Sequence, residues 1–344
     1  MTEHLGFPLL AGGLCSAAGL ERRLTCLQLQ AESDVFDSYS FWAEYPEDDD
    51  FSFPFAGVRL FERATVRATR LAHLLVSALD ETLASVAPGF AENPPTVLVA
   101  VPRNLKTAEQ ELLGQVFAET AARHNLNLPS PRWVFGGREA AGEALVQALP
   151  LLRGGAPVIV AAVDSLCDPD ELTRLQKAKR LLEKGSEGVI PGEAAGCVLL
   201  GPAEPTHTGT RLLAAAARAD DGSATVLSQR NNLTAAFADE RIQALAPRCA
   251  GRAYVASTGE GFLAQDINHA YLRHPEWWPE PLDVFESASV LGDTGTAGTL
   301  IQMLFADFQM QRTQGQGTRQ RALVVAAGDS DAGAVVMLEQ GAVS

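Results

Sequence analysis

Apolar residues recur along this chain with two different spacings, which predict alternating strands and helices. Residues 63–85 place apolar side chains at helical spacing and stop before the Pro and Gly of "VAPGF", so they predict a helix. The runs "PTVLVAVP" (95–102) and "APVIVAAVDS" (156–165) are short and almost wholly apolar, as is typical of strands buried on both faces. Because such strands alternate with helical segments, the pattern predicts an α/β protein whose sheets are covered by helices.

The remaining segments extend this alternation. The further elements predicted are a first strand and turn within residues 1–20, a helix over 107–124, a strand over "PRWVFGG" (131–137) and an Ala/Leu-rich helix over 138–152. Three polar segments predict exposed structure: an acidic turn at 45–51, a basic amphipathic helix at 173–185 with its charges in solvent, and a Gln/Gly/Arg loop at the end of 305–321.

A long internal repeat predicts two halves of the same topology. "PVIVAAVDS" (157–165) is echoed by "ALVVAAGDS" (322–330), at an offset of 165 residues. The helices before these strands also correspond, and each strand is followed by an acidic turn and one more strand. We therefore expect two halves, residues 1–205 and 206–344, in one compact pseudo-twofold unit, with equivalent helix N-termini near each other.

Charge and length exclude several classes of protein. The 344 residues carry a formal net charge of −15, which disfavours nucleic-acid partners because their affinity depends on cationic contacts to phosphate. No apolar run reaches the roughly 18–20 residues that cross a bilayer. Glu3 and His4 stand where a signal peptide has basic residues. We expect a cytoplasmic protein with neither a membrane nor a nucleic-acid partner.

The cysteines and histidines predict no metal site. The five cysteines are an odd number without CxxC spacing, and Cys26 and Cys197 lie in apolar runs where small buried thiols are expected. The segment "NHAYLRHPEWWPE" (268–280) contains His269, His274 and two tryptophans. It fits either an exposed aromatic binding surface or tryptophans that belong to the core.

A glycine-rich stretch, "VLGDTGTAGTLIQM" (290–303), could hold a phosphate, start a helix or frame a catalytic group. A dinucleotide-binding fingerprint requires GxGxxG directly after an N-terminal strand, with an acidic residue about 20 positions later. This stretch follows a loop late in the chain and its spacing differs, so we expect no cofactor.

Five segments in order along nearly the whole chain resemble the β-ketoacyl-acyl-carrier-protein synthases of the thiolase superfamily. The segments are "AGGLCSAAGLERRL", "GEAAGCVLL" after "VDSL", "TGEGFLAQD", "GDTGTAG" and "GDSDAGAVVMLE". Gly192 and Glu193 match the family's Gly-Glu-Gly-Ala-Gly segment. Gly259, Gly261 and Asp266 match its His-Gly-Thr-Gly-Thr loop and the aspartate that follows. The resemblance implies a thiolase-like fold of two duplicated halves in αβαβα layers.

The resemblance also locates the family's catalytic triad, which this chain lacks. The family uses a cysteine at the N-terminus of a buried helix and two histidines that stabilise an enolate. The cysteine position falls on Arg138, or on Gly137 if the alignment slips by one, and the histidine positions fall on Thr258 and Asp293. An arginine stays protonated and cannot be a nucleophile, threonine supplies no positive charge, and a carboxylate repels the developing enolate.

Two arrangements of these residues are open. Arg138 and Asp293 could pair across the pseudo-twofold through a charge-assisted contact, or both could face solvent if the alignment is wrong. The resemblance thus implies a catalytically inactive scaffold that acts through protein–protein interaction. The alternative is a condensing or acyl-transfer enzyme that uses other residues, with Cys167 in "VDSLCDPDEL" as its candidate nucleophile.

The partners follow from the same resemblance. Degenerate proteins of this kind resemble thiolase-like proteins of type VI secretion gene clusters, which implies an adaptor that helps load a secreted effector onto its delivery protein. An acidic chain is expected to repel acidic acyl carrier proteins unless the basic segment 174–184 forms a local docking patch. As in ketosynthases, we expect an edge strand around Trp133–Phe135 to pair in a homodimer.

Overall fold

Ten strands form one mixed sheet in the computed structural model, which describes residues 6–40, 52–62, 65–85, 90, 94–183, 187–219, 230–245, 251–312 and 320–341. The order of the strands is β10-β9-β11-β12-β8-β1-β7-β6-β4-β5, and β2 and β3 form a separate hairpin. The strands are β1 (Phe7–Ser16), β2 (Asp37–Ser40), β3 (Ser52–Phe55), β4 (Thr96–Pro102), β5 (Arg132–Gly136), β6 (Val158–Ser165), β7 (Glu193–Leu200), β8 (Thr210–Arg218), β9 (Ala253–Ala256), β10 (Val284–Glu286), β11 (Gln320–Ala327) and β12 (Gly333–Gln340).

The helices occupy the connections between strands. They are α1 (Arg22–Ala31), α2 (Arg67–Ala84), α3 (Thr107–Arg123), α4 (Ala140–Arg153), α5 (Pro169–Lys177), α6 (Asn232–Phe237), α7 (Glu240–Gln243), α8 (Gly261–Arg273), α9 (Ala288–Leu291) and α10 (Gly298–Arg312). Among the described residues, no helix is both long and apolar enough to span a bilayer.

The sheet consists of two equivalent halves that meet at its centre. In one half, β5, β4 and β6 run parallel to one another, β7 is antiparallel to β6, and β1 is antiparallel to β7. In the other half, β10, β9 and β11 run parallel to one another, β12 is antiparallel to β11, and β8 is antiparallel to β12. The halves join where β1 pairs with β8, with Phe7 opposite Leu212. The duplication expected from the repeat is confirmed, because β6 and β11 hold the same place in their halves. A domain boundary between residues 205 and 206 stays a prediction, and that position lies between β7 and β8.

Five layers of structure follow from the distribution of apolar side chains. Helices α4 and α10 lie between the two halves of the sheet, and their side chains form one core with the inner faces of both. Helices α2 and α3 cover the outer face of the first half, and α6 and α8 cover that of the second. The α/β architecture of helix, sheet, helix, sheet and helix is therefore present.

Most of the strands and helices predicted from apolar spacing are found within a few residues of their expected bounds. The helix expected over 173–185 is wrong at both ends. Asp168 caps the helix by accepting the amides of Asp170 and Glu171, so α5 begins at Pro169. It ends at Lys177, since Lys179 adopts a left-handed backbone with φ of 54°.

The predictions for the remaining segments have mixed outcomes. The loop expected at the end of 305–321 follows α10, which ends at Arg312, and residues 313–319 lie outside the described residues. Its last two residues are not loop, because β11 begins at Gln320. The acidic turn at 45–51 also lies outside them. Trp277 and Trp278 are buried in the core under α8, so of the two interpretations of that segment the core is correct.

Candidate functional site

The residues at the predicted triad positions lie where the two halves of the molecule meet. Arg138 follows β5 and precedes α4, and Asp293 lies in the turn between α9 and α10. The backbone of Asp293 is fixed by residues 190–192, because its amide donates to the Ile190 carbonyl at 2.7 Å and its carbonyl accepts the Gly192 amide at 3.0 Å. The start of α4 thereby faces the start of α10, as the pseudo-twofold predicts.

Arg138 and Asp293 form a buried, bidentate ion pair. Arg138 Nε donates to Asp293 Oδ1 at 3.0 Å, and Nη2 donates to Oδ2. Both side chains are almost completely buried. Burial alone would lower the pKa of Arg138, but the negative charges of Asp293 and Asp329 outweigh it and raise that pKa. Of the two arrangements left open by the sequence, the structure contains the pair.

A chain of ion pairs connects this contact to Thr258. Arg138 Nη1 also donates to Asp329, whose carboxylate accepts two bonds from Arg180 at 2.8 and 3.0 Å. Arg180 holds Glu260 through Nε at 2.8 Å and Nη2 at 2.6 Å, and the Thr258 hydroxyl donates to Glu260 at 2.9 Å. Thr258 is thus a hydrogen-bond donor to a carboxylate.

The charge of Asp329 is fixed by this network. Partial burial of this half-exposed side chain opposes ionisation, yet the positive charges of Arg138 and Arg180 prevail and hold the pKa of Asp329 well below the ordinary range. The network therefore joins all three predicted positions through Asp329, Arg180 and Glu260, which the sequence interpretation did not include.

A cleft of about 320 Å³ opens beside the Arg138–Asp293 pair. The ends of β4, β5 and β6 line it, together with α5 and the turn before α10. Asp164 at the end of β6 lies in its floor and accepts the amides of Ser165 at 2.8 Å and Thr296 at 3.0 Å. Burial raises the pKa of Asp164 to about 6, and the nearby Arg67 offsets this only in part. Carboxylates and guanidinium groups therefore occupy the place where a nucleophile and two imidazoles were sought.

Cys167, the alternative nucleophile, is buried and does not line this cleft, although it lines a smaller pocket of about 180 Å³. Burial and then the negative charge of Glu193 raise the pKa of its thiol well above the ordinary value. Because the thiolate is the reactive form, this environment disfavours nucleophilic chemistry. Cys26 and Cys197 are buried as predicted, and burial raises the pKa of each to about 12.

The described residues provide no imidazole to the cleft. The described histidines, none of which lines it, are His73, His124, His207, His269 and His274. Within the same parts of the chain, no group of three or more His, Cys, Asp or Glu side chains is arranged to hold a metal ion.

The glycine-rich stretch both starts a helix and frames the site. Gly292 has φ of 66° and Gly295 has φ of 52°, a backbone region that favours glycine, and α10 begins at Gly298. A Cβ on Gly295 would lie 2.0 Å from Asp164 Oδ2, so only glycine allows this close approach. The Gly295 amide donates to Asp293 Oδ1 at 3.0 Å, and the turn therefore orients the carboxylate.

Comparison with solved structures shows that the chain has the fold of thiolase-like ketosynthases. The ishigamide ketosynthase/chain length factor is 17% identical, with 98% of this chain and 99% of that chain covered and a TM-score of 0.72. A type II polyketide synthase acyl carrier protein in complex with its ketosynthase, bound to the hexaketide, is 12% identical over 98% of this chain and 99% of that chain, with a TM-score of 0.75.

A third similar structure is the ketosynthase from module 6 of the bacillaene synthase of Bacillus subtilis 168. It is 12% identical over 97% of this chain and 72% of that chain, with a TM-score of 0.73. No family model and no curated protein matches the sequence. One of these structures is a complex with an acyl carrier protein, and the comparisons give no support to the expectation that this acidic chain repels such proteins.

The sequence contained a signal for one of the missed residues. The repeat places Asp329 of "AAGDS" opposite Asp164 of "AAVDS", at the ends of β11 and β6. Each of these aspartates pairs with a buried arginine, Asp329 with Arg138 and Asp164 with Arg67. No comparable signal marked Arg180, which lies in the segment interpreted as a solvent-facing helix.

Proposed function

We propose that this chain is a catalytically inactive, ketosynthase-like scaffold that acts in the cytoplasm through protein–protein contacts. The observation that carries the proposal is the buried pair of Arg138 and Asp293 at the start of α4. Catalysis by this fold requires a thiolate at that helix terminus and donors that stabilise an enolate. A guanidinium held by two carboxylates is no nucleophile, and a fixed carboxylate opposes the developing negative charge.

A decarboxylation assay tests the proposal that the chain is catalytically inactive. Purified protein is incubated with a malonyl thioester of coenzyme A or of an acyl carrier protein, and carbon dioxide release is measured against an active ketosynthase. We expect a rate equal to that without protein. Release above this background would contradict the proposal.

We propose that the partner is a secreted effector or the protein that delivers it. The support is the resemblance to thiolase-like proteins of type VI secretion gene clusters, together with a site occupied by structural ion pairs. Affinity purification from the native organism, followed by mass spectrometry, should recover an effector or its delivery protein. Recovery of acylated carrier proteins instead would favour an enzyme.

We further propose a homodimer through β5, which lies at one end of the sheet order. Antiparallel pairing about a twofold at Val134 would place Trp133 of one copy opposite Phe135 of the other, an aromatic cross-strand pair. Phe135 is 48% exposed, and within the described parts of the chain no strand pairs with the outer edge of β5.

Light scattering tests the dimer at micromolar concentration. We expect a dimer for the wild type and a monomer for Phe135→Asp. The matched control is Leu272→Asp on α8, which likewise replaces an exposed apolar side chain with a carboxylate and should remain dimeric. A monomeric wild type would refute this arrangement.

A further inference from the structure

The cleft lies at the carboxyl ends of three adjacent parallel strands. Residues 102–104 continue from β4, residues 136–139 from β5, and residues 164–166 end β6. In α/β proteins, ligands bind in crevices outside the carboxyl ends of parallel strands. The Arg138–Asp293 pair occupies part of this crevice, and a volume of about 320 Å³ remains open beside it.

The charged groups that face solvent in this cleft are mainly guanidinium groups. The side chains of Arg103 and Arg174 are 56% and 48% exposed, whereas those of Glu139 and Glu171 are 5% and 6% exposed. Of these four side chains, only the two arginines are open to solvent. Asp329, which is 46% exposed, is the exception, and its charge is already shared by two arginines.

Both exposed arginines retain unused donors. Within the described residues, the guanidinium of Arg103 has one partner, Glu139 at 3.5 Å, and Arg174 bonds Glu171 through Nε alone at 2.6 Å. The two arginines share a neighbourhood, because Glu171 also accepts a bond from Asn104, the residue after Arg103, at 2.6 Å. The terminal nitrogens of Arg174 are left for a ligand.

A third arginine at the cleft has an unsatisfied donor. Arg67 lines the cleft with its side chain 92% buried, and its Nε has no acceptor among the described residues. Buried donors are normally satisfied, but Nε is itself covered by protein and is therefore not open to a molecule in the cleft. The other two nitrogens of Arg67 have partners: Nη1 donates to Asn104 Oδ1 at 3.0 Å and to Glu171 at 3.4 Å, and Nη2 donates to Asp164 at 3.4 Å.

The rest of the lining limits the size and polarity of a ligand. Pro102, Leu166 and Leu175 contribute apolar surface beside the arginines. The volume is near the lower end of the range for small-molecule sites, about 300–1,000 Å³. A compact carbon skeleton with one anionic group fits these features, because planar guanidinium groups bind carboxylate and phosphate in bidentate fashion.

We infer that this cleft binds a small organic anion, whose carboxylate or phosphate group is held by Arg103 and Arg174 and whose carbon skeleton packs on Leu166 and Leu175. Such a site goes beyond the proposed function, since a catalytically inactive scaffold needs no small ligand.

Isothermal titration calorimetry on the full chain at low ionic strength tests the inference. The probes are inorganic phosphate, phenyl phosphate and butyrate, with butyramide as the neutral match for butyrate. We expect saturable binding of phenyl phosphate or butyrate, and the stronger of the two identifies the anionic group. Butyramide should not bind. Absence of binding by every anion, or equal binding of butyrate and butyramide, would overturn the inference.

Variants locate the site. The double variant Arg103→Gln/Arg174→Gln should weaken anion binding about tenfold or more, as expected for the loss of charge-assisted hydrogen bonds. Both side chains are exposed, and circular dichroism will confirm that the variant is folded. The control Arg132→Gln removes an exposed arginine outside the cleft lining and should bind like the wild type. An unchanged double variant, or equal weakening in the control, would refute the site. Neither result bears on the proposed function, because no acyl substrate is involved.

Discussion

Replacement of Arg138 by alanine should destabilise the fold, because it leaves a buried carboxylate without its cation. Arg138 donates to both oxygens of Asp293 and to Asp329. After the substitution Asp293 keeps the Gly295 amide as a donor but loses its charge partner. Asp329 is affected less, since it is half-exposed and still pairs with Arg180.

The expected cost follows from the burial of both partners. Removal of one member of a buried ion pair costs about 3–5 kcal/mol. For 344 residues the entropy of unfolding is about 0.7 kcal/mol/K, so the midpoint of thermal unfolding should fall by about 4–7 °C. Urea denaturation should give the corresponding loss in unfolding free energy.

The double variant Arg138→Ala/Asp293→Asn separates the charge from the lost packing. It removes the stranded carboxylate and should recover a large part of the loss, so that the two substitutions are strongly non-additive. A cost below about 1 kcal/mol for Arg138→Ala, or a double variant less stable than Arg138→Ala, would refute this explanation of the pair.

Three further predictions concern the same region. Arg138→Cys should not become acylated by an acyl thioester in a mass assay, because Asp293 remains and no imidazole activates the thiol. Burial raises the pKa of Asp164 to about 6, so the folded protein binds a proton at this carboxylate more tightly than the unfolded chain does. The free energy of unfolding should therefore fall by up to about 3 kcal/mol as the pH rises from about 4 to about 6. Urea titrations of Asp164→Asn should show a flatter profile than the wild type, and an unchanged profile would contradict the assignment. Gly295→Ala should lower the free energy of unfolding by more than about 2 kcal/mol, because the added Cβ is strained at this left-handed position and contacts Asp164. The control Gly155→Ala, at φ of 85° with open space around it, should lower it by about 1 kcal/mol. Equal losses for the two variants in urea denaturation would exclude the contact with Asp164 as a cause.

Local patterns predicted the buried strands and the edge strand well. β4 and β6 are almost wholly apolar runs of the length typical of strands buried on both faces, and β5 ends in a double glycine that precedes a helix. The internal repeat also predicted that β6 and β11 are equivalent strands, although they are far apart in sequence. The layered arrangement of two duplicated halves was implied by the resemblance, and the order of the strands was not predicted, because periodicity carries no information on which strands are neighbours.

Long-range electrostatics were predicted only in part. The pair of Arg138 and Asp293 could be foreseen because the resemblance placed both residues at one pocket. Arg180 could not, since a run of basic residues normally faces solvent, and only the left-handed turn at Lys179 brings it to Glu260. The side chains that line the cleft come from separate elements, and their meeting depends on the tertiary fold.

Intact-protein mass spectrometry after exposure to an acyl thioester tests the central claim most directly. Wild-type protein and Cys167→Ala are incubated with an acyl-coenzyme A or an acyl carrier protein thioester, with an active ketosynthase as the positive control. The absence of a nucleophile at Arg138 and the burial of Cys167 predict an unchanged mass for both proteins while the control gains one acyl group. A wild-type protein that gains the acyl mass, and a Cys167→Ala variant that does not, would contradict the claim that the chain is inactive.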